Sequence, residues 1–513
     1  MNQARTYVSF KNSIVALIAQ VTSIILSFVT RTFFIKYLSM EYLGINALFT
    51  DILTMLSFAE LGIGTAIVYL MYKPLSEKDE YKISALMNLY SKIYKYVGIF
   101  IAVCGLIILP FLGTLIKDDY SISGIGSIYI LYLINSVISY FFTYKRSIII
   151  ADQYGYIDKF NTIIFSLAQN IIQILVLIFT KNFYLYLSVQ IICTLLSNIF
   201  ISVKANKMYP YLYKYRYAKV DKDTTNTLIK NILAMISSKL GSVIVSGTDA
   251  LLISSFAGIK PVALYSNYKL LSNTVKMIII QIIEPITATV GNLNATESKE
   301  YSYKIFKRIY FINFIIAFFA STFLFTLINP FISIWIGDEY LLSMDIVFMI
   351  VLNLYIIQMR QPAIIYINTY GLFWQIKWKS IVEAIINLIV SLILLYYLDL
   401  GILGVLIGTF ISNIFTNVWW EPIVVFKDGL NKSSLKYFKY FFVDSIVFII
   451  NIILINKMCI LFDYSNIWQF IINFVLTLAV STFIFIAIYY KRKEFKDSIN
   501  IIRNIVMKIA KER

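Results

Sequence analysis

The sequence predicts an all-α integral membrane protein of about fourteen transmembrane helices: two pseudo-repeat six-helix bundles around a central cavity, plus two extra helices. Three observations carry this. Residues of the AVILMFWYC set make up 59% of the 513-residue chain, charged residues only 14%, and mean hydropathy is +0.77. A soluble domain carries about 25% charged residues, so this chain lacks the polar groups to cover its own surface in water. About fourteen apolar runs lie along it, each close to the ~20 residues that a helix needs to cross the hydrocarbon. Finally, Lys and Arg divide unequally between alternate connections.

The runs lie near 12–37, 44–70, 93–116, 127–150, 160–180, 184–203, 231–257, 262–290, 306–328, 344–366, 380–398, 401–426, 440–457 and 467–490. Run one is too long for the core of a secretory signal and lacks an A-x-A cleavage site, so it reads as a retained anchor. Run two holds Gly62 and Gly64, which can bend or unwind it. Pro110, Pro285, Pro362 and Pro422 sit inside runs and mark kinks. Between runs six and seven, residues 204–222 are basic and rich in tyrosine, as an interfacial linker would be. After run fourteen, Phe495, Ile499, Ile502, Val506 and Ile509 share one face of a helix. Lys496, Arg503, Lys508 and Lys511 fall mostly elsewhere, the pattern of an amphipathic helix lying on a leaflet.

With the N-terminus inside, the inner connections hold about 33 Lys and Arg and the outer ones about 5. A wrong span count would scramble that contrast, so it predicts cytoplasmic N- and C-termini as well. It also assigns the net charge of +17 to anionic membrane lipids rather than nucleic acid. Histidine is absent, which excludes Ser-His-Asp and Cys-His nucleophiles and His-ligated metals. Cys104, Cys193 and Cys459 are far apart and read as small core residues. No phosphate loop, outer catalytic domain or selectivity-filter loop is visible. The expectation is a protein that is not an enzyme and uses no cofactor and no metal.

Runs one and two resemble runs seven and eight at an offset of about 219 residues: Lys11-Asn12 aligns with Lys230-Asn231, and Leu43-Gly44-Ile45-Asn46 with Val262-Ala263-Leu264-Tyr265. Six spans per half make the halves parallel, and such bundles meet around a central cavity. The expected organisation is a six-helix lobe over 1–219 and a second over 220–428. Two additional helices follow over 429–490, then the amphipathic tail over 491–513.

An ionised side chain at the bilayer centre costs at least about 2.5–3.5 kcal/mol, so deep charges face protein or water. Those here are Arg31, Asp51, Glu60, Lys239, Asp249, Lys269, Lys276, Glu284 and Arg360. All but Arg360 fall in runs one, two, seven and eight, the repeat-equivalent pairs. Gln20, Ser23, Ser27, Thr30 and Arg31 form one stripe at helical period. Lys239, Ser242, Ser246 and Asp249 form a second, and Tyr265, Lys269, Ser272 and Lys276 a third. These charges serve either as interhelical ion pairs, with Asp51 or Asp249 on Arg31 the leading example, or as the lining of a wet passage. Arg360 either joins them or snorkels to the inner interface. Glu383, Glu421 and Asp444, at inner helix ends, are expected to be interfacial.

Several stretches resemble the bacterial polysaccharide flippases (the Wzx-like O-antigen and teichoic-acid exporters). They are Arg31-Thr-Phe-Phe-Ile-Lys-Tyr-Leu, Glu41-Tyr-Leu-Gly-Ile-Asn, Ala59-Glu-Leu-Gly-Ile-Gly-Thr-Ala66, Leu70-Met-Tyr-Lys-Pro-Leu75 and Ala151-Asp-Gln-Tyr-Gly-Tyr156. Thr248-Asp249 and Leu264-Tyr-Ser-Asn-Tyr268 resemble the start of that family's second half. The resemblance implies the multidrug/oligosaccharidyl-lipid/polysaccharide exporter fold in a bacterial cytoplasmic membrane. It implies transport of undecaprenyl-pyrophosphate-linked oligosaccharide to the outer leaflet for cell-surface polysaccharide biosynthesis. The polymer would be O-antigen, capsule or teichoic acid, with H⁺ or Na⁺ as coupling ion and a polysaccharide polymerase and chain-length regulator as partners. Arg31, Lys239, Lys269 and Lys276 would then contact the anionic head group. Asp51, Glu60, Asp249 and Glu284 would be counter-ions or coupling-ion sites. A cation-coupled drug antiporter on the same scaffold is the alternative, since these runs hold four bases against four acids and charge sign does not decide. A membrane glycosyl- or acyltransferase is the third reading.

Overall fold

The structure, a computed structural model, describes residues 2–60, 63–117, 124–459 and 467–497. Its helices are α1 (Asn2–Tyr37), α2 (Met40–Leu56), α3 (Ile63–Glu77), α4 (Glu80–Ile108), α5 (Ile125–Thr143), α6 (Arg146–Ala151), α7 (Gly155–Thr180), α8 (Phe183–Met208), α9 (Tyr211–Lys214) and α10 (Lys222–Ala257). They continue as α11 (Ile259–Thr296), α12 (Lys299–Ile336), α13 (Met344–Met359), α14 (Gln361–Tyr370), α15 (Lys379–Leu398), α16 (Gly401–Phe415), α17 (Asn417–Val424), α18 (Leu435–Cys459) and α19 (Ile467–Tyr489). No strand occurs among the described residues. Each of the fourteen runs lies on one helix or on two consecutive ones, and this is a multi-pass membrane protein.

Eleven segments among the described residues are long and apolar enough to cross a membrane without qualification. The three runs outside that set are two, seven and eight. Run two is broken: α2 stops at Leu56, a 3-10 turn follows over Ser57–Glu60, and α3 resumes at Ile63. Runs seven and eight are continuous in α10 and α11. The breaks follow local chemistry. Asp79, Asn182, Asp221 and Ser298 accept backbone N–H bonds at the starts of α4, α8, α10 and α12, satisfying donors that a helix start leaves open. Pro362 stands just after the α13–α14 break and cannot donate to the Gln358 carbonyl. Asn313 Nδ2 takes that role at 2.9 Å, while Gln358 Nε2 donates to Asn313 Oδ1 at 2.8 Å.

The solvent these helices are built for is visible in α7. Its buried positions are Asp158, Asn161, Gln173 and Leu177, while Phe160, Ile164, Ile171, Leu175 and Phe179 point outward. Polar groups inside and apolar groups outside is the arrangement that lipid selects.

The chain divides into two compact units, Met1–Ala263 and Leu264–Arg513. In the first, α1 packs on α7, α7 on α8, α5 on α4 and α8, and α10 on α2 and α3. The α2 approach is close because of two glycines. A methyl on Gly247 would lie 2.9 Å from Met55 Cβ, and one on Gly44 would collide with the Ile259 carbonyl. In the second unit α12 is the hub, contacting α13, α14, α18 and α19. Of the amphipathic tail expected over 491–513, residues from 498 onward lie outside the described ones.

Candidate functional site

In the first unit the sequence-predicted charges sit on α1, α2 and α10. Arg31 is part-buried, within electrostatic reach of Tyr132 on α5 and Tyr186 on α8. Its neighbour Thr30 is buried and donates to Asn170 on α7, and the Tyr132 hydroxyl donates to Asn46 on α2. Phe34 stacks edge-on against Phe183 and Tyr186, closing an aromatic wall beside the guanidinium. Asp51 is part-buried on α2 and Asp249 buried on α10. Gly247 brings α10 against α2 beside the Asp51 carbonyl, so the structure gathers these two acids onto directly packed helices. Arg31, Asp51 and Asp249 each have an electrostatic or hydrogen-bonding partner.

Glu60 lies at the end of the turn that breaks run two, half a turn out of phase with Asp51 on any straight helix. It therefore serves a different surface. The Tyr94 hydroxyl of α4 donates to it, Tyr90 stacks edge-on at 4.4 Å from Tyr94, and Ser147 bonds Tyr90 at 3.2 Å. The acid is thus held inside a tyrosine cluster of the first unit. Lys239 is on α10 and Glu284 on α11; their side chains lie outside the described ones.

In the second unit Lys269 and Lys276 are part-buried on α11. Beside Lys269, Tyr268 is fully buried; its hydroxyl donates to Asn329 Oδ1 at 2.5 Å and accepts the Leu342 amide at 2.8 Å. Lys276 feels the positive charge of Arg360.

Arg360 does not snorkel. It stands at the α13–α14 break with its guanidinium turned inward, bidentate to Glu421 at 3.0 and 2.7 Å and donating to Asn413 at 2.7 Å. Lys379 adds a second cation on Glu421 at 2.7 Å and lies 3.8 Å from Glu383, which in turn accepts from Asn417 at 2.6 Å. Glu383 and Glu421 are therefore buried partners rather than interfacial acids, because two cations and the Asn417 amide replace the water they lose. Asp444 departs from expectation in the same way. It is fully buried on α18, bonded by Tyr310 (3.1 Å), Tyr489 (2.7 Å) and Arg492 (3.0 Å).

The first unit carries a counterpart. Arg146 stands at the α5–α6 break, paired with Asp158 at 3.2 Å and donating to Asn198 at 2.9 Å and Ser197 at 3.2 Å. In each unit, then, an arginine at the break of the fourth run is held by an acid and an asparagine: Asp158 of α7 and Asn198 of α8 in the first, Glu421 of α17 and Asn413 of α16 in the second. Sequence reasoning did not single out Arg146 among the deep charges and missed this. The usable signal was an asparagine in each sixth run, at Asn198 and Asn413. What such pairs do chemically is tie together the helices that meet at each break.

No protein-family model and no curated protein sequence matches the chain. Solved structures do match it. The lipid II flippase MurJ, in an inward closed conformation, aligns with a TM-score of 0.64 at 15% identity, covering 93% of this chain and 98% of its own. The inward-facing conformation of a multidrug resistance MATE family transporter of the MOP superfamily aligns at 0.59 and 14% identity, covering 82% and 99%. A MOP superfamily transporter from Pyrococcus furiosus aligns at 0.56 and 14% identity, covering 84% and 97%. The chain has the MOP-superfamily fold. The solved structures that share it are a lipid II flippase and transporters of the MOP superfamily.

Proposed function

We propose that the protein is a flippase that moves undecaprenyl-pyrophosphate-linked oligosaccharide across the bacterial cytoplasmic membrane by alternating access of its two lobes, residues 1–219 and 220–428. One observation carries the choice of cargo. The flippase structure covers 93% of this chain, whereas the MATE structure is itself covered to 99% yet spans only 82% of this one. A chain of flippase length suits a cargo with a lipid tail that must stay in the bilayer while its head group crosses.

The head group is a pyrophosphate, and moving it through low dielectric is costly unless cations replace its water. Arg31, Lys239, Lys269 and Lys276 supply these in the proposal. Asp51, Glu60, Asp249 and Glu284 act as counter-ions or as sites for H⁺ or Na⁺. The termini are cytoplasmic in this reading, and a polysaccharide polymerase with its chain-length regulator consumes the product.

Leaflet-specific labelling of the lipid-linked repeat unit in cells lacking the protein tests this. The expected result is accumulation on the cytoplasmic side; an unchanged outer-leaflet supply overturns it. A second reading, a cation-coupled drug antiporter, is supported by the MATE likeness. It predicts the opposite pair of results: normal leaflet supply and loss of drug efflux.

A further inference from the structure

The chain beyond α19 folds back against the start of α12. Arg492 donates to the buried Asp444 at 3.0 Å and to Glu494 at 3.4 Å, with its guanidinium 4.5 Å from the Tyr440 ring. Five residues on, Asp497 accepts from Arg308 of α12 at 3.0 Å. These pairs fix residues 490–497 as one wall of a cleft of about 370 Å³, whose other wall is the first turns of α12.

The charges on this cleft do not cancel. Glu300 pairs with Lys432 at 2.5 Å and Asp497 with Arg308, while Glu494 shares Arg492 with the buried Asp444. Lys304, Lys307 and Lys493 also line it, and among the described residues none of the three has an acid within ion-pair distance. Lys307 Nζ lies 4.8 Å from the Tyr303 ring, and Tyr301 and Tyr303 complete the lining. Three ammonium groups converging on one clamped cleft repel one another unless an anion joins them.

The depth of the cleft says which anion. It sits where α12 begins and α19 ends, and both helices are apolar enough to span. That is the level of lipid phosphates, where tyrosine concentrates. We propose that this cleft binds the phosphate of an anionic phospholipid, held by Lys304, Lys307 and Lys493 in the leaflet where α12 starts. The site needs only the membrane-spanning fold and is separate from the proposed transport residues.

Native mass spectrometry of the purified full chain, titrated with phosphatidylglycerol or phosphatidylcholine at low ionic strength, tests it. Each basic residue at an anionic headgroup contributes about fivefold in affinity. The Lys304→Gln/Lys307→Gln/Lys493→Gln variant should therefore lose the preference for phosphatidylglycerol by about a hundredfold. The control Lys207→Gln/Lys214→Gln/Lys219→Gln, with the same charge change in the basic linker, should keep it. Equal loss in both variants, or none in the first, overturns the site. Binding of inorganic phosphate through the three lysines without any lipid preference overturns the lipid assignment and makes the ligand a soluble phosphate. None of these outcomes bears on Lys269 or Lys276, so the transport reading stands or falls separately.

Discussion

Glu421 has a side chain only 2% exposed and carries two cations, Arg360 and Lys379. Removing its charge leaves both facing the single carboxylate of Glu383. Breaking a buried pair costs about 3–5 kcal/mol, because the remaining charge stays dehydrated. Glu421→Gln should lower the thermal midpoint of the detergent-purified protein by many degrees, and an unchanged midpoint would show that water reaches the cluster. The sequence marked Arg360 as deep but offered no partner. Glu421 lies 61 positions away, and an acid near the end of an apolar run reads the same whether it faces headgroups or a neighbouring helix.

At the scale of the helix, the α13–α14 break is a sequence-legible event with a tertiary repair. Pro362 forecasts the interruption, but only the packed structure brings Asn313 of α12 to the Gln358 carbonyl and side-chain amide. Replacing Asn313 with Leu should cost about 1–3 kcal/mol, the penalty of a buried unsatisfied polar group. Faster hydrogen exchange across 356–364 would be its signature, and wild-type exchange there would refute the repair. The start of α10 responds to pH instead. The Thr224 backbone N–H, with the Thr224 hydroxyl, holds the Asp221 carboxyl below its usual range. A carboxyl depressed in the folded state contributes fully above the ordinary carboxylate range and loses its contribution as pH falls through the lowered value. Protection of the first turn of α10, taken relative to intrinsic exchange at each pH, should therefore fall on acidification in the wild type but stay flat in Asp221→Asn, whose amide caps without titrating. Parallel pH profiles would mean that the cap does not control this turn.

At the scale of the whole molecule, the proposed transport depends on cations that stay positive across the bilayer interior. The double reversal Lys269→Glu/Lys276→Glu should abolish outer-leaflet delivery of the lipid-linked unit while the protein level in the membrane stays near wild type. Transport surviving that change would remove α11 from the proposed path. Within the second unit the additional helices α18 and α19 are joined to α12 by polar stitches: Asn451 donates to Thr322 at 3.0 Å, and Thr477 to Thr326 at 3.2 Å. Between helices in lipid, where apolar burial supplies no net drive, such bonds and close packing hold the assembly.

The sequence by itself determined the solvent, the fourteen runs and the helices that carry deep charge. Hydropathy and the cost of a buried charge are local properties, readable one segment at a time. Tertiary structure alone decided which charges are neutralised in place. Arg146, Arg360 and Asp444 are each satisfied by groups from other helices, and no periodicity along one helix encodes what stands opposite it. It likewise alone decided that the segment after α19 turns back to build a cationic cleft, because that turn depends on Asp444 waiting inside α18 for Arg492.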